Sequence, residues 1–189
     1  MLRKGLAAMF VSLFVTGAAF ASPPAAGKTD TADAGNLAEG LTVLHAVGQW
    51  SIDLSKMADK RAKSDLVKDY AREMATANAD KDAKLMAIAQ KHGIDVAPLD
   101  PQTEEGKSLL DRIKAETALL SSLAGDAFDK EYMTLVTNTQ QSVIRFLETH
   151  KAAATDQDVK QLMGDMTTTV QNRLKTAQDI LAKVYGDRV

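Results

Sequence analysis

Residues 64–93 read SDLVKDYAREMATANADKDAKLMAIAQKHG, and the fold is decided by this stretch. Ser64 is a favourable N-cap residue, Asp65 places a negative charge in the first turn, and Gly93 suits the left-handed position after a helix. Apolar residues recur between these ends at helical spacing, namely at Leu66, Tyr70, Met74, Leu85 and Ile88 or Ala89. The same stripe passes through Asn78. The sequence therefore predicts a long amphipathic helix, helix B, with an amide where a core residue is expected.

The first 21 residues have the composition of a secretory signal peptide. Arg3 and Lys4 precede an apolar run over residues 6–20, and small residues surround the expected cleavage site after Ala21. The run is too short and too weakly flanked for a membrane anchor, so we expect no integral membrane segment in the mature chain. The sequence predicts export to the periplasm, with secretion or association with the envelope as alternatives.

The rest of the chain has the composition of one globular domain. Of the 189 residues of the full chain, 45% are hydrophobic, which is enough for one core. Without residues 1–21 there remain 21 basic and 25 acidic residues, a net charge of −4 that argues against a nucleic-acid partner. Because the chain has no cysteine, the fold must rest on helix packing. Residues 22–35, with two prolines, are predicted to be a disordered leader, and residues 36–186 to be the domain.

A second helical pattern precedes helix B. Helix A is predicted over residues 36–62, and the short junction at 63–64 makes helices A and B an antiparallel hairpin. Trp50 lies in the middle of helix A, where we expect it to be partly buried with its indole N–H hydrogen-bonded. Helix B is followed by a connector with two prolines over residues 95–102, and then by a shorter helix that Thr103 caps.

Two more long helices follow, each with a pattern that resembles a capping box. Helix C is predicted to open at Asp126 with Asp129 three residues later, and helix D at Thr155 with Asp158 three residues later. The β-branched run at residues 167–169 predicts a local bend in helix D. Four long helices with a long crossover between B and C predict an all-α, ferritin-like four-helix bundle, whose crossover contains the short extra helix.

The titratable residues form no complete catalytic or metal-binding motif. Ferritin-like bundles that hold two metal ions use Glu-x-x-His pairs, and this sequence contains none. His92 and His150 lie in the last turns of helices, where we expect them to complement the helix dipole. His45 lies near the apolar edge of helix A, where a structural role is favoured over metal ligation. Nucleophile, phosphate-loop and calcium-loop motifs are missing too, so we expect no enzyme activity and no cofactor.

Four polar residues lie on the helix faces that are predicted to be buried, one in each long helix: Ser51, Asn78, Gln140 and Arg173. Buried polar groups must find hydrogen-bond partners, so side chains that meet inside the bundle would form a polar network. The alternative is that the four residues lie at the rim of the bundle, where water satisfies them.

Four segments follow one another in an order that is typical of a known family. They are residues 67–74 (VKDYAREM), residues 85–94, the motif Phe128-Asp129-Lys130-Glu131-Tyr132, and residues 174–177 (LKTA). Together they resemble a family of exported bacterial proteins of unknown function with a ferritin-like fold, whose members are often labelled outer-membrane proteins. The resemblance covers about residues 36–185, and Phe-Asp-x-x-Tyr is its most specific motif.

The resemblance also implies where a metal site would lie. The family typically has a Glu in its first long helix and a His in each of the other three. This correspondence places Ser51 at the Glu position, and the three His positions hold Asn78, Gln140 and Arg173. These residue types bind metal ions poorly, and Arg173 brings a fixed positive charge to the place of a cation, where the Asn78 or Gln140 amide would pair with it. The resemblance thus implies a degenerate metal site.

Three functions agree with these observations. The favoured hypothesis is a non-catalytic periplasmic bundle that binds a protein or small-molecule partner or buffers envelope stress. The second is a metal-binding, ferritin-like redox protein with an atypical site, such as His45 with carboxylates. The third is a protein at the membrane surface, which the mixed charge of the helix faces and the acidic domain disfavour.

Overall fold

The computed structural model describes residues 29–154 and 156–186, and the predicted signal peptide lies outside them. Five helices form this part of the chain, and it contains no strand, which confirms the all-α prediction. The helices are α1 (Thr29–Arg61), α2 (Asp65–Lys91), α3 (Glu104–Ser122), α4 (Gly125–Ala153) and α5 (Gln157–Tyr185).

The first helix begins earlier than its sequence pattern predicts. Helix A was expected from residue 36, after a disordered leader, whereas α1 begins at Thr29, about two turns sooner. Residues 29–35 contain no proline, the residue that interrupts a helix most strongly. The observed bounds correct the predicted start of helix A. The disordered leader over residues 22–35 stays a prediction, and its residues 22–28 lie outside the described residues.

Two antiparallel hairpins organise the described residues. Helix α1 packs along α2, and α4 packs along α5, because each pair is joined by a turn of only a few residues. The hairpins meet where α1 contacts α4 and where α2 contacts α5. Helix α3 lies between the hairpins in sequence and contacts α4. It begins as predicted, since the Thr103 hydroxyl accepts a hydrogen bond from the N–H of Gly106 at 3.1 Å.

The core has two apolar clusters. One cluster surrounds Phe128, Tyr132 and Met133, which are fully buried near the turn between α1 and α2. The other contains Leu41, Leu85, Leu147, Val159 and Met163, in the opposite half of the molecule. Residues from both clusters line one cleft, which therefore lies at their junction.

The predicted capping box of helix C is wrong. The N-cap of α4 is Ala124, which has no side chain to accept a hydrogen bond, and Gly125 at φ 59° begins the helix. Asp129 is instead fully buried and faces the first hairpin. Its carboxylate accepts hydrogen bonds from the backbone N–H groups of Lys63, at 2.9 Å, and Ser64, at 2.7 Å. Asp129 thus joins the α1–α2 turn to α4.

Phe128 and Tyr132, the aromatic residues of Phe-Asp-x-x-Tyr, also serve packing in this chain. The guanidinium of Arg61 lies 5.1 Å from the centroid of the Phe128 ring, which is a cation–π contact. Tyr132 and Ser55 are both buried, and their hydroxyl oxygens lie 3.1 Å apart in a hydrogen bond between α4 and α1. The whole motif therefore fastens the second hairpin to the first.

The start of α5 also differs from its prediction. The N-cap is Asp156 rather than Thr155, and its carboxylate accepts a hydrogen bond from the N–H of Val159 at 3.0 Å. The threonines at 167–169 donate their hydroxyls to the carbonyl oxygens four residues earlier, so α5 continues through the β-branched run.

Trp50 provides a test of how α3 is attached. Its indole Nε1–H donates to the Thr117 hydroxyl at 3.0 Å, which links α1 to α3. We expect Trp50→Phe and Thr117→Val each to lower the free energy of unfolding by about 1 kcal/mol, and the double variant to cost less than the sum. Urea denaturation followed by far-ultraviolet circular dichroism measures all three. Strictly additive losses would show that this hydrogen bond contributes nothing.

Candidate functional site

The four long helices surround a cleft with about 70 Å³ of free volume. All four polar residues singled out in the sequence line it, namely Ser51 from α1, Asn78 from α2, Gln140 from α4 and Arg173 from α5. Its other walls are mainly aliphatic. The helical periodicity explains this meeting, because each of the four residues interrupts the apolar stripe of its own helix.

Three of these residues form a chain of hydrogen bonds across α1, α2 and α5. The Asn78 amide Nδ2 donates to the Ser51 hydroxyl at 2.8 Å. Arg173 Nη1 donates to the Asn78 amide oxygen at 3.5 Å, a long contact. Asn78 thus satisfies both ends of its amide, and it is half-buried between a hydroxyl and a guanidinium.

Gln140 belongs to the same cleft but has a different partner. It is buried, and its Nε2 donates to the Tyr70 hydroxyl at 2.7 Å, which in turn donates to the backbone oxygen of Arg173 at 3.4 Å. Burial raises the pKa of Tyr70 to about 12, so its hydroxyl stays protonated at neutral pH. The amide oxygen of Gln140 and the hydroxyl of Thr139 are buried without a hydrogen-bond partner.

Lys81 is a cleft residue that the sequence reasoning missed. It lies one helical turn after Asn78. In the sequence alone it looks like any other charged residue on the solvated face of a helix. Burial, together with the positive charge of Arg173, lowers the pKa of Lys81 to about 7. The spacing of three residues from Asn78, on a face that continues to Leu85, is the signal that would have found it.

Asp82 lies at the α2 edge of the cleft, and both of its carboxylate oxygens have hydrogen-bond partners. Its Oδ1 lies 2.6 Å from Nδ1 of His45, and its Oδ2 accepts from Nε2 of Gln49 at 2.7 Å. His45 therefore has a carboxylate partner on the neighbouring helix.

The other two histidines lie near the ends of helices. His150 stacks on Phe146 with ring centroids 3.9 Å apart, and its Nδ1 lies 2.9 Å from the Phe146 carbonyl oxygen. His92 is the C-cap of α2, and its Nε2 lies 3.8 Å from a carboxylate oxygen of Asp156, the N-cap of α5. Neither histidine reaches the cleft lining.

The described residues, 29–154 and 156–186, contain neither a metal-binding cluster nor a membrane-spanning helix. No group of three or more histidines and carboxylates in these ranges is arranged to hold a metal ion. None of their helices combines the length and the apolar character that a membrane span requires.

The chain matches one family model and is similar in fold to several solved structures. A family model described as "Domain of unknown function (DUF4142)" matches residues 21–180. No curated protein matches the chain. Solved structures share the fold: a DUF305 protein from Streptomyces coelicolor, described as secreted, has a TM-score of 0.63 at 17% identity and covers 80% of this chain and 93% of its own.

Two further structures are similar in the same way. A DUF305 fragment from Deinococcus radiodurans has a TM-score of 0.69 at 15% identity, and the match covers 78% of this chain and 96% of that one. The apo form of CopM has a TM-score of 0.59 at 17% identity, with 82% and 98% covered. At these identities the likeness establishes the all-helical fold.

Proposed function

The chain belongs to the DUF4142 family, and we propose that it is an exported, non-catalytic helical-bundle protein that acts by binding a partner in its central cleft. In this proposal the fold is ferritin-like, and the place where the family resemblance implies a metal site is a polar binding site. The signal-peptide pattern of residues 1–21 supports export to the periplasm, as does the likeness to a DUF305 protein described as secreted.

The observation that carries this proposal is the hydrogen-bond chain from Arg173 through Asn78 to Ser51. A guanidinium is always protonated in proteins, so at this position it repels a metal cation. Amide and hydroxyl groups neither titrate near neutral pH nor act as nucleophiles without an activating base. What these groups do well is donate and accept hydrogen bonds, which suits binding more than catalysis.

A metal-binding redox protein with an atypical site is the alternative. The observation that favours it is the His45–Asp82 pair, which brings an imidazole and a carboxylate together beside the cleft. If this pair nucleates a site, His45→Ala must abolish metal retention. Unchanged retention in that variant would reject this pair as the site.

The metal content of the native protein tests the proposal. We expect protein purified from its own periplasm and mildly dialysed to hold no stoichiometric iron, manganese, zinc or copper by elemental analysis. Retention of one or two equivalents of any of these metals would overturn the proposal, because the cleft would then serve as a metal site.

A variant that restores the family pattern is the matched control. Ser51→Glu, Asn78→His, Gln140→His and Arg173→His combined place one carboxylate and three imidazoles around the cleft. We expect this variant to retain a divalent metal, since those ligands suit several first-row metals. A folded variant that retains none would contradict the correspondence between these four positions and a metal site.

A further inference from the structure

Two cationic side chains line the central cleft. Arg173 enters from α5 and Lys81 from α2, both half-buried. Burial lowers the pKa of each, and the charge of Arg173 lowers that of Lys81 further, so the two groups repel each other at a place shielded from water. A pair of shielded like charges is unfavourable unless Lys81 loses its proton or an anion lies between the two groups.

The protein itself does not supply that anion. Among the residues that the structure describes, neither Lys81 nor Arg173 has a carboxylate oxygen within 4.0 Å. Glu73 and Asp80 act on Arg173 only from a longer distance. Asp82, the acidic residue of the cleft lining, gives its two oxygens to His45 and Gln49.

We propose that the cleft binds a small aliphatic carboxylate between Lys81 and Arg173. This inference rests on the proposed function, since it names the class of ligand for the same cleft. The guanidinium offers a planar pair of N–H donors that matches the two oxygens of a carboxylate, and the ammonium supplies a second charge. The unpartnered hydroxyl of Thr139 lies in the same lining as a further donor.

The apolar walls of the cleft favour one class of anion. At about 10–15 Å³ of such volume for each water molecule, the free volume of about 70 Å³ holds several waters, which suits a small ligand. Leu85, Val143 and Val170 are among the aliphatic walls, so one end of the ligand meets an apolar surface. A short alkyl chain fits that surface, whereas a sulfate or phosphate would have to desolvate oxygens against it.

Binding is expected to depend on pH through Lys81. Its pKa near 7 means that the empty cleft holds a largely neutral amine above that pH, and the bound carboxylate favours the protonated form. The nearby groups are Arg173 on α5, which stays charged, and the pair of Asp82 with His45 on α1; α4 contributes only neutral residues. Affinity should therefore fall as the pH rises from 7, by at most about tenfold per pH unit.

The test is a titration of the full-length mature protein with sodium acetate, followed by NMR of the side-chain amide and guanidinium groups. Sodium chloride and sodium sulfate at equal ionic strength are the comparison salts. We expect saturable acetate shifts at Asn78 and Arg173, and an affinity at least about tenfold weaker in both Arg173→Gln and Lys81→Met. Lys84→Met, an exposed lysine one turn along α2, should bind as the unaltered chain does.

Three results would overturn the inference: acetate shifts no larger than those with chloride, sulfate binding as tight as acetate binding, or full acetate affinity in Lys81→Met. Lys81→Met relieves a buried charge and should fold well, so a null result there is not a folding artefact. If the protein is metal-free and does not bind acetate, the inference about the ligand class is rejected and the proposed function is not. If the protein holds a stoichiometric metal, the proposed function is rejected whatever the titration gives.

Discussion

Replacing Asp129 with Ala is expected to lower the free energy of unfolding by about 3 kcal/mol, as much as a large cavity in the core. The fully buried carboxylate accepts hydrogen bonds from the N–H groups of Lys63 and Ser64. Without it, both N–H groups lose a charged acceptor in a turn that α4 covers, and no water can replace the carboxylate fully. Urea denaturation followed by circular dichroism measures the loss.

Two variants complete this test. Asp129→Asn keeps one acceptor oxygen but turns an NH₂ group toward one of the two donors, so it should recover only part of the loss. Asp179→Ala removes an exposed carboxylate whose partner is Lys175, four residues earlier on α5, and should change stability by less than about 0.5 kcal/mol. If Asp129→Ala costs no more than Asp179→Ala, the carboxylate does not hold the hairpins together.

Replacing Lys81 with Met is expected to raise the free energy of unfolding, by about 2 kcal/mol at neutral pH after allowance for the partial exposure of the side chain. The lysine pKa falls from 10.5 to about 7 on folding, so the folded state disfavours the charged form that the unfolded chain prefers. Met fills similar space without that charge. Most single substitutions destabilise a protein, so a gain at this site would be diagnostic.

The stability gained by Lys81→Met should depend on pH, and the lowered pKa of Lys81 fixes the direction of that dependence. Above pH 10.5 the lysine is neutral in both states and carries no penalty; as the pH falls toward 7 the unfolded chain binds a proton that the folded chain does not, and the penalty grows. The advantage of Lys81→Met should therefore increase from pH 10.5 to 7 and then level off. Lys84→Met, at an exposed position, should show no such slope. A pH-independent gain would contradict the lowered pKa.

Stability and the proposed ligand make opposite demands on Lys81. Lys81 weakens the fold while the cleft is empty, and a bound carboxylate would return stability that grows with the logarithm of its concentration once that concentration exceeds Kd. The same variant should therefore be the more stable protein and the weaker binder. Acetate should raise the stability of the unaltered chain and leave that of Lys81→Met unchanged.

The sequence predicts those features of the fold that local signals control. Residues 64–93 contain α2 because its limits depend on neighbouring residues: Ser64 is the N-cap, and Gly93 has a φ of 65° just after the helix. Thr103 caps α3 with its hydroxyl, whereas Ser64 occupies the N-cap position of α2 without a side-chain hydrogen bond to the helix. The predicted box at Asp126 and Asp129 failed because the partners of Asp129 lie 65 and 66 residues away, on another hairpin. No local spacing reveals such a pair.

The sequence also predicts some features of the candidate site and not others. Periodicity places Ser51, Asn78, Gln140 and Arg173 on inward faces, and the structure brings them to one cleft. Which of them bond to one another depends on side-chain reach across helices, so the route of Gln140 through Tyr70 was not foreseen. Lys81 was missed because a lysine in a helix is ordinarily solvated, and only the surrounding helices make this one costly.

The carboxylate of Asp129 also bears on how the molecule reaches its native state. The turn that ends α1 is completed by a side chain that is synthesised some sixty-five residues later, so the N–H groups of that turn are bonded to water until Asp129 replaces it. Two more residues of α1 have their partners in the C-terminal half. Ser55 is hydrogen-bonded to Tyr132, and Arg61 donates to the carbonyl oxygens of Ser121 and Leu123. The two halves therefore gain stability together, as one cooperative unit.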